Sequence, residues 1–136
     1  LTIGSGVGYN SVILSYLCNT VIGIESIKSF YDFSSDILIK LQVNNVVFIK
    51  TKIENGYSDQ QPYDCIIIEG GVNHVPNEIL NQLSENGRLV AVEIKEGNVG
   101  KATIYQRYGK EFTKKYLFDA YVPAFDGFKK IQNFNF

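Results

Sequence analysis

Short apolar segments alternate with segments of helical periodicity along most of this chain. The helical segments carry apolar residues every three or four positions, as at Phe30, Phe33, Ile37 and Leu41. The strand segments are continuous apolar runs such as Cys65-Ile66-Ile67-Ile68, which are typical of strands covered on both faces. The pattern predicts strands at residues 1–3, 20–25, 46–49, 63–69 and 88–94, and helices at residues 10–17, 27–41 and 76–83.

In the last third of the chain the alternation of strand and helix patterns stops. Residues 102–108 and 111–122 have the pattern of two strands, and Gly109-Lys110 between them is typical of a tight hairpin turn. Alternating strands and helices favour a parallel sheet with helices on both faces, and the hairpin adds an antiparallel edge. We therefore expect an α/β fold with a mostly parallel, doubly wound sheet and a C-terminal antiparallel hairpin.

The composition fits one globular domain. The chain has 136 residues, of which 45% are hydrophobic and 20% charged, so we expect a single domain over residues 1–136 and not a disordered chain. Thirteen basic and fourteen acidic residues give a formal net charge of -1, which provides no general attraction to nucleic acid or to an anionic membrane. No apolar run approaches the roughly 18 residues of a membrane span.

The two cysteines, Cys18 and Cys65, are too few for a disulfide framework. No Cys/His cluster offers a zinc site, so we expect no metal centre and a reducing, cytoplasmic location. We expect Cys65 to be buried in its strand, and both cysteines to serve packing and not catalysis.

The segment Gly4-Ser5-Gly6-Val7-Gly8 connects the first predicted strand to the first predicted helix. In that position Gly4 allows a sharp turn, Gly6 allows a ligand to approach the backbone, and Gly8 allows close packing between helix and strand. The N–H groups at the start of the helix then face the ligand. The alternative is an ordinary strand–helix turn that happens to be rich in glycine.

Glu25 ends the second predicted strand, about twenty residues after Gly4, where an acid accepts hydrogen bonds from both hydroxyls of a ribose. The alternative is a solvated carboxylate at a strand end. The glycines and Glu25 together predict a nucleoside-containing ligand at the carboxyl ends of the strands.

The spacing of the glycines bears on which nucleoside binds. A dinucleotide fingerprint reads G-x-G-x-x-G, whereas here the third glycine is Gly8 and Tyr9 follows it. The G-x-G-x-G order and the antiparallel hairpin are closer to folds that bind S-adenosyl-L-methionine. Neither feature is decisive alone, so a nicotinamide-dependent oxidoreductase is kept as an alternative.

The glycine segment, with Ile3 before it and Tyr9 after it, resembles the first motif of the protein-L-isoaspartate O-methyltransferases, a family that depends on S-adenosyl-L-methionine. The similarity covers residues 1–92 well and the hairpin loosely, and the tail is similar to a divergent bacterial branch of the family. The further similar segments, in the family's order, are Val21-Ile22-Gly23-Ile24-Glu25, Asn45-Val46, Gly56-Tyr57, Pro62-Tyr63-Asp64-Cys65-Ile66-Ile67-Ile68, Val75-Pro76, Leu80-Asn81-Gln82-Leu83 and Gly87-Arg88-Leu89-Val90.

The resemblance implies a Rossmann-like class I methyltransferase fold. It also implies transfer of a methyl group from S-adenosyl-L-methionine to the α-carboxylate of L-isoaspartyl residues in damaged proteins, whose methyl ester favours the succinimide that begins repair. By position, the resemblance implies that Gly4, Gly6 and Gly8 line the methionine portion of the cofactor and that Glu25 binds the ribose. We also include Ser5, within the glycine segment, among the cofactor-binding residues, and we expect Ile53 to pack on the adenine face.

Two features depart from the family's pattern. The family has an acidic residue in a Gly-Asp-Gly stretch after the third strand, and Lys50-Thr51-Lys52-Ile53 stands there in this chain. The family's serine/threonine segment for substrate binding and catalysis lies upstream of the glycine segment, so this sequence assigns no catalytic residue. A non-catalytic family member that binds the cofactor or a protein is therefore an alternative function.

The chain starts at Leu1 and contains no Met, so we interpret it as an amino-terminally truncated fragment that lacks most of its first strand. That strand is central in such a sheet, and its absence leaves backbone groups of the neighbouring strands unpaired. We expect the fragment to be marginally stable unless other residues replace the strand.

Glu69 and His74 are further candidates near the strand ends. Glu69 lies at the carboxyl end of the fourth predicted strand, where a carboxylate can orient the substrate or the sulfonium, so we include it among the cofactor-binding residues. The alternative is a loop carboxylate that faces water. His74 suits proton transfer near pH 7, but methyl transfer to an ionised carboxylate needs no general base. The aromatic residues expected to fold back onto the core are Phe125, Phe128, Phe134 and Phe136.

Overall fold

A computed structural model of the protein describes residues 1–95 and 99–128. Within them the strands are β1 (Thr2–Ile3), β2 (Val21–Glu25), β3 (Val46–Lys50), β4 (Tyr63–Val72), β5 (Leu83–Glu93), β6 (Gly100–Tyr108) and β7 (Glu111–Ala120). The helices are α1 (Tyr9–Leu14), α2 (Lys28–Leu41) and α3 (Asn77–Leu80), with short 3-10 helices at Ser58–Gln60 and Asp126–Phe128. The longest of these helices has 14 residues, so none of them reaches the length that crossing a membrane requires.

The strands form one sheet in the order β3-β2-β1-β4-β5-β6-β7. Strands β1 to β5 pair in parallel, and β6 and β7 add two antiparallel pairings. This confirms the expected α/β fold with a mostly parallel sheet and a C-terminal hairpin. The chain runs outward from β1 to β2 and β3 and then returns to β4 on the other side of β1. Ligands in such sheets bind at the carboxyl ends of the strands beside this reversal, which is where the glycine segment lies.

Strand β1 is short but lies inside the sheet, between β2 and β4. Ile3 pairs with Ile24 of β2 and with Ile68 of β4, and all three side chains are at most 4% exposed. On the opposite face the hydroxyls of Thr2 and Ser11 share a hydrogen bond of 2.8 Å, which attaches α1 to β1. The glycine segment therefore leaves the sheet from its most buried strand.

Helix α2 packs on the sheet through a different face from the predicted one. The predicted apolar positions Phe30, Phe33 and Leu41 are exposed, whereas Tyr31 and Leu38 pack against the sheet. Ser34 lies on the packed face and is fully buried, and its Cβ is 3.0 Å from where a Cβ on Gly8 would be. The predicted helix is therefore confirmed, but the face predicted to pack on the sheet was wrong. The packed face is the one that carries the small Ser34, because only a small side chain fits where α2 meets the glycine segment.

The predicted helix at residues 76–83 is shorter in the structure, and β5 begins at Leu83 instead of Arg88. Tyr63 pairs with Leu83 and Cys65 pairs with Arg88, so β5 holds extra residues between two nearby positions of β4. These residues bulge from the ladder, and Asn86 among them has a positive φ of 61°. The bulge lets one strand continue through a segment whose sequence is typical of a turn.

Cys65 lies in β4 as predicted, but its side chain is exposed, so the expectation of burial was wrong. It lies on the sheet face that α1 covers, and α1 ends at Leu14 before reaching this end of the strand. A cavity of about 620 Å³ lies there, and Leu14, Cys18 and Cys65 are among its lining residues. Cys18 is exposed as well, and both thiols are free.

Candidate functional site

Three glycines in the left-handed region shape the connection from β1 to α1. The φ angles of Gly4, Gly6 and Gly8 are 73°, 54° and 84°, values that residues with a Cβ rarely adopt. The amides of Gly4 and Ser5 both donate to the carbonyl of Ile24, at 2.9 and 3.1 Å. These bonds fix the loop to the end of β2 and bring it beside the last residue of that strand.

Each of these glycines has a different environment. A Cβ on Gly8 would lie 2.6 Å from the ring of Phe48, so Gly8 permits the close packing of α1 on β3. A Cβ on Gly6 would meet no described atom within 4 Å, so the backbone there is open to a ligand. A Cβ on Gly4 would lie 2.2 Å from the ring of Phe125, so this side of Gly4 is covered.

The carboxylate of Glu25 points into the glycine loop. Its side chain is buried, and its Oε2 accepts a hydrogen bond of 2.8 Å from the amide of Gly6. Its Oε1 accepts two more of 2.8 Å, from the amides of Ser26 and Ile27. Since these bonds use three of the roughly four lone-pair positions of a carboxylate, one position on Oε2 is left for a ligand.

Glu69 lies near the carboxyl end of β4 and is held by a residue of α1. The side-chain amide of Asn10 donates to Glu69 Oε2 at 2.8 Å. Burial raises the pKa of the Glu69 carboxyl, the hydrogen bond from Asn10 opposes that rise, and the negative charge of Glu25 adds to it. Glu69 Oε1 is buried and has no hydrogen-bond partner in the described part of the chain. Glu69 is therefore a strand residue beside the glycine loop and does not lie in a water-facing loop.

Two further buried side-chain atoms, Ser5 Oγ and His74 Nδ1, also lack a partner among residues 1–95 and 99–128. A buried polar group left without a partner costs roughly 1–3 kcal/mol, and such groups are few in folded proteins. Ser5 belongs to the glycine segment and Glu69 to the end of β4, so two of the three unpartnered groups lie at the carboxyl ends of the central strands. A ligand that brings hydrogen-bond donors to this edge would satisfy both.

Ile53, the predicted adenine contact, belongs to the hydrophobic core. It is 6% exposed, and Phe125 packs against the same cluster of side chains. The amide of Thr51 donates to the carbonyl of Glu25 at 3.0 Å, which keeps the segment after β3 beside β2. Lys52, in the stretch where the family has an acid, is exposed. A contact between Ile53 and a ligand stays a prediction.

Residues 123–128, which we call the strap, cross the carboxyl end of β4. The amide of Gly71 donates to the carbonyl of Pro123 at 2.7 Å, and the amide of Phe125 donates to the carbonyl of Gly71 at 2.8 Å. A Cβ on Gly70 would lie 2.6 Å from the Phe125 ring, which therefore contacts Gly70 as well as Gly4. The strap thus lies over the same strand ends that carry the unpartnered polar groups.

The strap confirms that Phe125 and Phe128 fold back onto the core, since Phe128 is 1% exposed and Phe125 is half-buried. Phe134 and Phe136 lie outside the described residues.

The structure brings Gly6 to Glu25 and Asn10 to Glu69. Asn10 was not among the predicted site residues, and Phe125 was predicted as a core residue but not as a contact of Gly4 and Gly70. A polar residue in the first turn of a helix gives no sign of a partner 59 residues away. The pair Gly70-Gly71 near a strand end is a signal for Phe125, because glycines there often mark the close approach of another segment. In the part of the chain that the structure describes, no group of three or more His, Cys, Asp or Glu residues is arranged to hold a metal ion.

Comparison with known proteins supplies a family match. The family model for protein-L-isoaspartate(D-aspartate) O-methyltransferase matches residues 1–129. Protein-L-isoaspartate O-methyltransferases of Pseudomonas paraeruginosa and Pseudomonas syringae are 31% and 32% identical to this chain over 128 residues, or 93% of its length. The chain spans about 60% of the length of these relatives.

Solved structures show the same fold. A structure of a protein-L-isoaspartate O-methyltransferase superposes with a TM-score of 0.85 at 24% sequence identity, over 90% of this chain and 40% of its own. A Plasmodium falciparum protein described as a beta-aspartate methyltransferase, in complex with S-adenosyl-L-homocysteine, gives a TM-score of 0.79 at 22% identity, over 90% of this chain and 63% of its own.

Proposed function

The chain belongs to the protein-L-isoaspartate(D-aspartate) O-methyltransferase family, and from that premise we propose that the whole protein methylates the carboxylate of L-isoaspartyl residues in damaged proteins. The methyl donor in this proposal is S-adenosyl-L-methionine. The product ester would favour succinimide formation, which makes the protein an enzyme of protein repair.

Two broader features belong to the same proposal. We propose that residues 1–136 form one methyltransferase domain, since strands from Thr2 to Ala120 share one sheet. We also propose a cytoplasmic location, because Cys18 and Cys65 are free thiols and free thiols suit a reducing compartment.

The observation that carries the proposal is the Glu25 carboxylate beside the open backbone of Gly6. A carboxylate at the end of the second strand accepts hydrogen bonds from ribose hydroxyls in nucleoside-binding folds of this type. The free lone-pair position on Glu25 Oε2 can accept a hydrogen bond from one ribose hydroxyl, whereas the sequence predicted hydrogen bonds from both ribose hydroxyls. The open face of Gly6 lets the nucleoside approach the backbone closely, so we place Gly6, which donates to Glu25, beside the nucleoside and not beside the methionine portion that the resemblance implied.

The part of the site at Ser5 and Glu69 suits the amino acid portion of the donor. S-adenosyl-L-methionine supplies a methyl group on a positively charged sulfonium and also carries an ammonium group. Glu69 Oε1 has no partner among the described residues and would accept a hydrogen bond from that ammonium. Asn10 would keep the Glu69 carboxylate oriented through its bond to Oε2, and Ser5 Oγ offers a second polar contact. We call Ser5, Gly6, Glu25 and Glu69 the donor site.

The proposed reaction asks for positioning more than for proton transfer. An isoaspartyl carboxylate is ionised near pH 7, so it needs no general base. Its oxygen forms a bond to the methyl carbon while the methyl–sulfur bond breaks and the sulfur keeps the electron pair. The protein has to hold the acceptor oxygen in line with the breaking bond. His74 therefore has no proton to move in this proposal, and we assign no catalytic residue within the described segment.

A second candidate is a family member that binds the donor or a protein without catalysis. The Phe125 ring against Gly4 favours this candidate, because it covers part of the glycine segment. The exposed Lys52 in place of the family's acid favours it as well.

Methyl transfer with the full-length protein separates the two candidates. The assay uses methyl-labelled S-adenosyl-L-methionine with an isoaspartyl peptide, and the aspartyl isomer of that peptide as control. Label on the isoaspartyl peptide alone is the expected result. Binding of S-adenosyl-L-homocysteine by calorimetry without methyl transfer would favour the non-catalytic candidate. Binding of NAD but not of S-adenosyl-L-homocysteine would contradict both.

A further inference from the structure

The Phe125 ring fills the space between the carboxyl ends of β1 and β4. A Cβ on Gly4 would lie 2.2 Å from this ring and a Cβ on Gly70 would lie 2.6 Å from it, so the ring is in contact with both backbones. Gly4 begins the glycine segment, and Gly70 directly follows Glu69. No ligand atom can occupy this space while the ring is there. The face of Gly6 is open by comparison, with no described atom within 4 Å of a Cβ built there.

The strap that carries the ring is attached to the sheet and to the core. Its backbone bonds to Gly71 through the Pro123 carbonyl and the Phe125 amide. Phe128 anchors its end in the core, with a ring centroid 6.1 Å from that of Phe125. Four strap residues are exposed, namely Pro123, Ala124, Asp126 and Gly127, and Gly127 also contacts the Glu54 side chain. Because four of the six strap residues are exposed, displacing the strap costs less free energy than opening the buried strands β1 and β4 would.

The covered state leaves polar groups unsatisfied beside the ring. Ser5 Oγ and Glu69 Oε1 are buried without partners among the described residues, and each belongs to a residue next to a glycine that the ring touches. A ligand that replaced the ring could bring hydrogen-bond donors to both atoms. Binding of such a ligand and displacement of the ring would therefore favour each other.

We propose that Phe125 is an autoinhibitory plug: the strap holds its ring in the methionine half of the donor site, and the donor enters fully only when the strap lifts. This inference rests on the proposed function, because it takes S-adenosyl-L-methionine as the ligand. The nucleoside half of the site, at Gly6 and Glu25, stays open when the plug is in place. The plug therefore discriminates between ligands that carry the amino acid portion and ligands that lack it.

Calorimetry on the full-length protein tests the plug with two ligands, S-adenosyl-L-homocysteine and adenosine. We expect Phe125→Ala to bind S-adenosyl-L-homocysteine at least fivefold more tightly than the unaltered protein, and adenosine with the same affinity. Phe112→Ala is the matched control, since Phe112 is also half-buried against the core but lies in the hairpin. It should change neither affinity.

Each outcome of the calorimetry supports or overturns the plug. If the unaltered protein binds S-adenosyl-L-homocysteine and Phe125→Ala binds it no more tightly, the plug is overturned and the proposed donor stands. An equal gain for adenosine also overturns the plug, because it would mean that the ring blocks the whole site. If neither protein binds S-adenosyl-L-homocysteine, the proposed function fails and the plug fails with it.

A measurement on the unaltered protein covers the case in which Phe125→Ala does not fold. Hydrogen exchange at the amides of Gly71 and Phe125 reports on the two bonds that hold the strap. We expect saturating S-adenosyl-L-homocysteine to accelerate exchange at both amides. Unchanged or slower exchange in the bound protein would overturn the plug.

Discussion

The Glu25 carboxylate accepts a hydrogen bond of 2.8 Å from the amide of Gly6, which joins the end of β2 to the middle of the glycine segment. The amides of Ser26 and Ile27 donate to the other carboxylate oxygen, so three N–H groups converge on one buried side chain. A glutamine at this position would offer one acceptor oxygen in place of two. At least one of the three N–H groups would then face an NH2 group.

We expect Glu25→Gln to weaken the binding of S-adenosyl-L-homocysteine at least tenfold. Because a buried amide would lose its acceptor, the free energy of unfolding should also fall by about 1–3 kcal/mol. Calorimetry and urea denaturation measure the two effects. Glu78→Gln, which alters an exposed carboxylate in the first turn of α3, is the control and should change neither quantity. Unaltered ligand affinity in Glu25→Gln would rule out the ribose contact.

Gly6→Ala and Gly109→Ala form a matched pair. Both glycines have left-handed φ angles, 54° and 60°, and a Cβ on either would meet no described atom within 4 Å. Each substitution should therefore cost about 1–2 kcal/mol of stability from the backbone conformation alone. Only Gly6→Ala should weaken S-adenosyl-L-homocysteine binding in calorimetry, because only its new Cβ would enter the ligand's space. Equal affinities for the two variants would mean that the ligand does not approach Gly6.

Gly8→Ala should destabilise the protein more than Gly109→Ala. Gly8 has a φ of 84°, and its Cβ would lie 2.6 Å from the Phe48 ring, so packing strain of about 1–3 kcal/mol adds to the backbone cost. Urea denaturation of both variants measures the difference. Phe48→Leu in the Gly8→Ala background should recover part of the loss by shortening the side chain. Equal stabilities for Gly8→Ala and Gly109→Ala would show that the close packing carries no energetic weight.

Glu69→Gln should change the pH dependence of stability. Burial raises the pKa of the Glu69 carboxyl in the folded protein above its value in the unfolded chain. Between those two pKa values the folded state binds more protons, so the contribution of Glu69 to stability is greatest at low pH and is lost as the pH rises through this window. Glu69→Gln removes this titration. Compared with the unaltered protein, the variant should therefore have a more favourable change in the free energy of unfolding at pH 7 than at a pH below the pKa of Glu69 in the unfolded chain.

Urea denaturation across this pH range measures the effect of Glu69→Gln, with Glu78→Gln as the exposed control. A difference between Glu69→Gln and the unaltered protein that stays constant with pH would contradict the burial of this carboxylate.

The glycine segment and Glu25 were predictable because their chemistry is local. A sharp turn from strand to helix needs residues without a Cβ, and the next strand of the same β-α-β unit must end beside that turn. Both requirements can be stated from the order of residues between Leu1 and Glu25. The mostly parallel sheet with an antiparallel edge followed from the alternation of strands and helices and from the hairpin at residues 102–122, whereas the order of the strands was not predicted.

The contacts of Asn10 and Phe125 could not be predicted in the same way. Asn10 meets Glu69 only because β1 and β4 are neighbours in a particular register, and no local pattern selects that partner. Phe125 reaches Gly4 through a turn of the strap after β7, which the apolar pattern does not specify. The packed face of α2 was also ambiguous, because its apolar residues surround the helix and the small Ser34 decides which side can approach Gly8.

Three backbone amides hold the Glu25 side chain before any ligand arrives. A glutamate side chain that is free to rotate loses up to about 2 kcal/mol of conformational entropy when it is fixed in one rotamer. Here that loss accompanies folding and not binding. A sugar hydroxyl therefore docks onto an acceptor that is already immobile, and the free energy of that bond contributes to affinity without an ordering cost at this end of the molecule.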